Sequence, residues 1–300
     1  MSVAHGTILG GLSSVPDLAR ALAAYRDVLG LTLVEQGRLD AELAASWGCP
    51  GNAAAPYAVL QPQSGAPCWF RLVEQPAHPE FRPTTTYGWA AFEASVADVW
   101  HWPEALPPEL FTIVGPPKLL ENIKPAFIPM QALGPGAEMI YLNQVLGDMP
   151  DTDLPRAAAP VDRIFITVLA TPDREASIEW YCRGLGLERG ADYTLPYSMI
   201  NKAFGLAPET QTTITMVRHQ RMPIIEVDDY PAAATPRPRH AGMLPPGNAL
   251  VTLAVSDLDA CALDWIAPPA VRAGALYQGR RAASAIGVAG EIVECVEVGR

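Results

Sequence analysis

The 300-residue sequence predicts an α+β protein built from four βαβββ modules, and three observations predict it. First, "RALAAYRDVLGL" at 20–31 returns as "ASIEWYCRGLGL" at 176–187, with Asp17, Tyr25, Leu29 and Gly30 each matched by the same residue type 156 positions later. Second, four strand-like runs each end on an aspartate that opens a helix-like stretch, at Asp17, Asp98, Asp173 and Asp257, separated by 81, 75 and 84 residues. Third, proline-rich joints, "EQPAHPEFRPTTT", "MPDTDLPRAAAP" and "DDYPAAATPRPRH", fall at the three places that such a repeat requires.

Each element has a local cause. Asp17 precedes an apolar stripe of Leu18, Leu22, Tyr25 and Leu29, and Gly30 follows it. That is an N-cap, one buried face and a glycine able to end the helix in the left-handed region. Asp173, Ile178, Tyr181, Leu185 and Gly186 repeat the device. Short apolar runs bounded by turn residues follow each helix, among them "LTLVEQG", "YAVLQP" and "CWFRLVEQ" in the first module and "TTITMVRHQ" and "PIIEVDD" in the third. Modules two and four close on "EMIYLNQV" and "EIVECVEV". The modules fall at 1–75, 86–148, 160–230 and 245–300, which sets two expected domains at 1–150 and 160–300.

Composition narrows the function classes. The net charge is −11 and the basic residues are scattered, so no stripe is available to neutralise a phosphate backbone and nucleic acid is not an expected partner. No apolar run reaches the ~18 residues of a membrane span, and the start "MSVAHGTILGG" lacks a secretory pattern. The five cysteines show no CxxC or zinc spacing, which reads as reduced small hydrophobes in a cytoplasmic protein. The glycine clusters "GPGAE" and "GVAGE" precede strands rather than helices, so they read as turns and not as nucleotide cradles.

The pattern Y-x-x-x-L-G-L, present at Tyr25–Leu31 and Tyr181–Leu187 behind a strand and a capping aspartate, resembles the vicinal oxygen chelate (VOC) superfamily of glyoxalases, bleomycin resistance proteins and extradiol dioxygenases. The resemblance covers almost the whole chain. It implies that pairs of modules form curled antiparallel sheets, each a cup for a small molecule and usually a divalent metal, one cup built by 1–150 and one by 160–300. It does not select a reaction, because the superfamily hosts dioxygenases, isomerases, lyases, thiol transferases and binding proteins.

The family's metal ligands are histidines and glutamates at four strand positions. Counting seven residues back from each capping aspartate gives Gly10, Ala91, Ile166 and Leu250; the remaining positions fall on Arg71, Tyr141, Glu226 and Glu294. No imidazole stands at any of them, which departs from the metalloenzyme branches, so no bound catalytic metal or other cofactor is expected. Of the five histidines, only His219 sits on a candidate cup strand.

The sequence therefore assigns proton transfer to Glu294 and Glu226, expected to share the second cup among apolar neighbours that would raise and separate their titrations. Arg71 and Tyr141 are expected in the first cup, the arginine gripping an anionic oxygen and the tyrosine donating to it. Trp89, Glu93 and His219 complete the candidate substrate-binding set, with Trp69, Tyr57 and Tyr87 as further aromatic walls. The reading is an enzyme of isomerase or lyase type acting on a small carbonyl or aromatic compound. Two alternatives remain open at this stage: a metal-free small-molecule binding or resistance protein, and a dioxygenase-like enzyme with non-standard ligands. The expected partner is a small molecule, and the chain is expected to be a monomer or homodimer.

Overall fold

All four aspartates cap. Asp17 accepts from the Arg20 amide, Asp98 from Trp100, Asp173 from Ala176 and Asp257 from Asp259, at 2.9–3.0 Å. The chain beyond each cap takes a different length of helix. The computed structural model describes residues 3–120, 127–147 and 152–299.

The first module runs β1 (Ile8–Val15), α1 (Leu18–Leu22), β2 (Thr32–Arg38), α2 (Ala41–Ser46), β3 (Pro56–Gln61) and β4 (Trp69–Glu74). Helix α1 widens after one turn, and the Leu29 amide donates five residues back to Ala24 at 3.0 Å. The second module holds β5 (Gly88–Val96), α3 (Trp102–Ala105), β6 (Thr112–Gly115), β7 (Phe127–Leu133) and β8 (Met139–Val145). Here the capped turn stays short, because Pro107 and Pro108 follow at once. The third module has β9 (Val161–Thr171), α4 (Arg174–Leu185), β10 (Glu188–Pro196), α5 (Ser198–Phe204), β11 (Gln211–His219) and β12 (Met222–Asp229).

The fourth module, β13 (Gly247–Val255), β14 (Ala270–Val271), β15 (Arg281–Ile286) and β16 (Ile292–Glu297), departs from the expected grammar. Asp257 starts only one tight turn, Leu258–Ala260. The Ala262 amide then donates to Gly184 at the end of α4, and Leu263 lies where a Gly184 Cβ would sit. The segment docks on a neighbouring helix instead of forming its own.

Two eight-stranded mixed sheets result, in the orders β14-β15-β16-β13-β1-β4-β3-β2 and β10-β11-β12-β9-β5-β8-β7-β6. This corrects the expected pairing of modules. Module 1 shares a sheet with module 4, and module 2 with module 3, through the antiparallel seams β1–β13 and β5–β9. Neither contiguous half, 1–150 or 160–300, contains a whole sheet. Residues 148–151, at the expected boundary, lie outside the described residues.

Apolar residues on the facing sides of both sheets and on α1 and α4 form one core, including Phe70, Leu72, Trp89, Phe92 and Leu169. A Cβ on Gly11 would lie 2.4 Å from the Phe92 ring, so this close approach of the two sheets requires glycine there. The tyrosine of each Y-x-x-x-L-G-L motif crosses to the next module. The Tyr25 hydroxyl donates to Glu138 at 3.1 Å and Tyr181 to Glu291 at 2.7 Å. Both glutamates belong to the turns read as "GPGAE" and "GVAGE", and each folds back over a glycine. A Cβ on Gly134 or Gly287 would fall about 2 Å from the carboxylate oxygen.

Candidate functional site

The interleaved pairing regroups the candidate residues. The cup of modules 1 and 4 holds Gly10, Arg71, Leu250 and Glu294; that of modules 2 and 3 holds Ala91, Tyr141, Ile166 and Glu226. Arg71 thus meets Glu294 rather than Tyr141, and Glu226 meets Tyr141 rather than Glu294. The expected glutamate pair does not exist, because β12 and β16 belong to different sheets.

In the cup of modules 1 and 4, Arg71 Nη2 lies 2.9 Å from Glu294 Oε2, with the two residues 5% and 1% exposed. Glu294 also accepts from Trp47 Nε1, the Tyr277 hydroxyl and the Thr252 hydroxyl, each at 2.7 Å. Arg71 donates to the Tyr277 and Thr252 hydroxyls and stands 5.5 Å over the Trp47 ring. Four donors occupy the lone pairs of this carboxylate, so Glu294 anchors an ion pair and has no acceptor position left to take a substrate proton. A hollow of about 400 Å³ opens in front, lined by Leu12, Tyr57, Val73, Arg71 and Arg272 among others.

The cup of modules 2 and 3 is acidic. Glu226 and Asp228 alternate on the same face of β12, and Glu93 lies on β5 in register with Ile166 and Tyr141. Asp228 and Glu93 are buried and Glu226 is half-buried. Burial pushes the Glu226 carboxyl up to about 7, opposed by the neighbouring Asp228 side chain and by the hydrogen bond from Tyr197. Burial and then the neighbouring carboxylates push Asp228 and Glu93 well above the ordinary range. Asn143 Nδ2 donates to Glu93 at 2.5 Å. Helix α5 covers the cup, and the residue before it, Tyr197, donates to Glu226 Oε1 at 3.2 Å while lying 3.0 Å from the Tyr141 hydroxyl. Tyr141 also reaches Met199 Sδ at 3.3 Å.

Trp89 and His219 are not cup residues. A bulge between Trp89 and Ala91 shifts the alternation of β5, so Trp89 turns into the core, donates to the Ile292 carbonyl at 2.9 Å and packs near Tyr181. His219 ends β11 beyond another bulge and packs edge-on against His5, ring centroids 5.2 Å apart. Burial and then His5 lower its titration. Sequence reasoning missed Asp228, Tyr197, Tyr277, Trp47 and Thr252. Of these, Asp228 carried a usable signal, since a residue two positions from Glu226 on a strand shares its face.

The residues at the family's ligand positions do not fit a divalent metal. A side chain at Gly10 would place its Cβ 2.0 Å from the Trp69 carbonyl oxygen, and the neighbouring positions are filled by the Arg71–Glu294 pair. In the other cup Ala91 and Ile166 offer no donor. Among the described residues, no group of three His, Cys, Asp or Glu is placed to hold an ion.

Residues 163–264 match the family model described as the Glyoxalase/Bleomycin resistance protein/Dioxygenase superfamily. Glyoxalase I from Zea mays superposes with a TM-score of 0.61 at 18% identity, over 97% of this chain and 92% of that one, and a point mutant of the same enzyme with 0.63 at 19%, over the same shares. A putative dioxygenase from Bacillus subtilis gives 0.61 at 12%, over 99% of this chain and 87% of that one. No curated protein sequence matches. The family match is thus confined to residues 163–264, while the likeness of fold to these solved structures extends over nearly the whole chain. No described helix is long and apolar enough to cross a membrane.

Proposed function

We propose that this chain, with the sheets of the glyoxalase, bleomycin resistance and dioxygenase superfamily, transfers protons on a small carbonyl or aromatic compound without a bound metal, in the cup of modules 2 and 3. The observation that carries the reading is Glu226: a half-buried carboxyl pushed up to about 7, beside two deeper acids and next to the Tyr197 hydroxyl. A base titrating near neutrality is matched to taking a proton from a carbon next to a carbonyl and returning it. Burial raises Glu226 into this range, and Asp228 and the Tyr197 hydroxyl keep it from rising further. Displaced from Glu226 by substrate, the Tyr197 hydroxyl can donate to the developing enolate oxygen together with Tyr141. The protonated Glu226 then delivers the proton to an adjacent atom, so the substrate is isomerised, or to a group that leaves the neighbouring carbon, so the substrate undergoes elimination.

The test follows hydrogen–deuterium exchange at carbon by NMR in D2O, with hydroxyacetone and phenylpyruvate as probes, in chelator throughout. Exchange catalysed by the protein should rise as pH passes through about 7 and should fall by about a hundredfold or more in Glu226→Gln. Loss of exchange on chelation, no exchange above background, or full exchange in the variant would each overturn the proposal.

A further inference from the structure

The cup of modules 1 and 4 raises a separate question, since its own carboxylate is spent. We infer that the hollow of modules 1 and 4 is a binding site for a small planar carboxylate, held by Arg272 and Arg71 and independent of the acidic cup. Arg71 and Arg272 line the same hollow, and the buried Nε–H of each finds no acceptor among the described residues. A buried donor without an acceptor is unfavourable. Two such donors on one cavity are satisfied together by a ligand that brings two acceptor oxygens, which a carboxylate does.

Arg71 keeps its Nη groups on Glu294, Tyr277 and Thr252, and the other charges of the hollow leave the Nε–H of both arginines unoccupied. Glu35 accepts from the Tyr57 hydroxyl and the Ala275 amide, each at 2.5 Å, and Asp40 accepts from the Glu42 and Leu43 amides at 2.9 Å. Arg38 donates to the Ala54 carbonyl. Glu42 approaches Arg272 only to 3.8 Å and is 88% exposed, while Arg272 is 12% exposed. That loose contact is one an entering carboxylate can replace.

Shape and lining indicate the rest of the ligand. Leu12, Val59, Val73 and Tyr57 form apolar walls, and about 400 Å³ admits a molecule of single-ring size with room to spare. Glu35 ties the Ala275 segment of module 4 to β2 and β3 of module 1, so the two walls of the hollow are fixed relative to each other before a ligand arrives. A preformed site of this kind loses little freedom on binding.

Isothermal titration calorimetry with benzoate, and with benzamide as the uncharged analogue, tests the inference. Benzoate should bind with a Kd on the order of 1 mM or tighter and benzamide at least about tenfold more weakly. Arg272→Gln should weaken benzoate by about tenfold or more with an unchanged melting temperature, Arg272→Lys by less, and Glu226→Gln not at all. No benzoate binding, equal binding of benzamide, or loss through Glu226→Gln with retention in Arg272→Gln would overturn it. The last outcome would move the ligand to the acidic cup and leave the proposed function standing.

Discussion

Glu138 and Glu291 sit alike in the two halves of the repeat, and burial pushes each carboxyl from 4.5 up to about 7. A carboxyl whose folded titration lies above its unfolded one binds its proton more tightly when folded. Its contribution to stability is whole below pH 4.5 and is lost as the pH rises towards 7. Each glutamate then costs about 3 kcal/mol in the ionised range, before relaxation or water entry reduces it. The melting temperature should therefore decline between pH 5 and pH 7.5. Glu138→Gln and Glu291→Gln, which keep an acceptor for the Tyr25 and Tyr181 hydroxyls, should flatten that decline when followed by calorimetry. A slope unchanged in both variants would show that other groups set it.

The capping aspartates invite a comparison between elements. Asp173 starts a helix of twelve residues and Asp257 a turn of three. Asp173→Ala should cost about 1 kcal/mol in chemical denaturation, and Asp257→Ala less. Elements of this kind were legible because their signals are local: a cap, a stripe, a glycine. The Glu226 strand was legible too, and so was the inward face of Arg71, Tyr141 and Glu294. Partnership was not. Strand β1 pairs with β13 of the fourth module, and a seam between such distant segments leaves no mark within a window of one module. Trp89 and His219 were misplaced because a one-residue bulge reverses a face without changing composition. Tyr277 and Trp47 lie outside the strands, where no periodicity points at a cup.

The whole molecule is nested, with modules 1 and 4 enclosing modules 2 and 3. A chain cut at the midpoint should behave accordingly. Residues 1–150 alone would expose the β1 and β5 edges and the apolar faces beside them, and should self-associate or aggregate instead of forming a folded monomer. Coexpression with 160–300 should restore a soluble complex, as read by size-exclusion chromatography. A stable, monomeric, cooperatively melting half would contradict this. The nesting also orders events during synthesis. The sheet of modules 2 and 3 can close once the third module has emerged, whereas β1 must wait, its edge unpaired, until β13 of the fourth module has emerged. Strand β1 is thus completed long after it is made, and the nascent chain's exposure to chaperones and to misassociation with its neighbours on the same message is concentrated at that waiting edge.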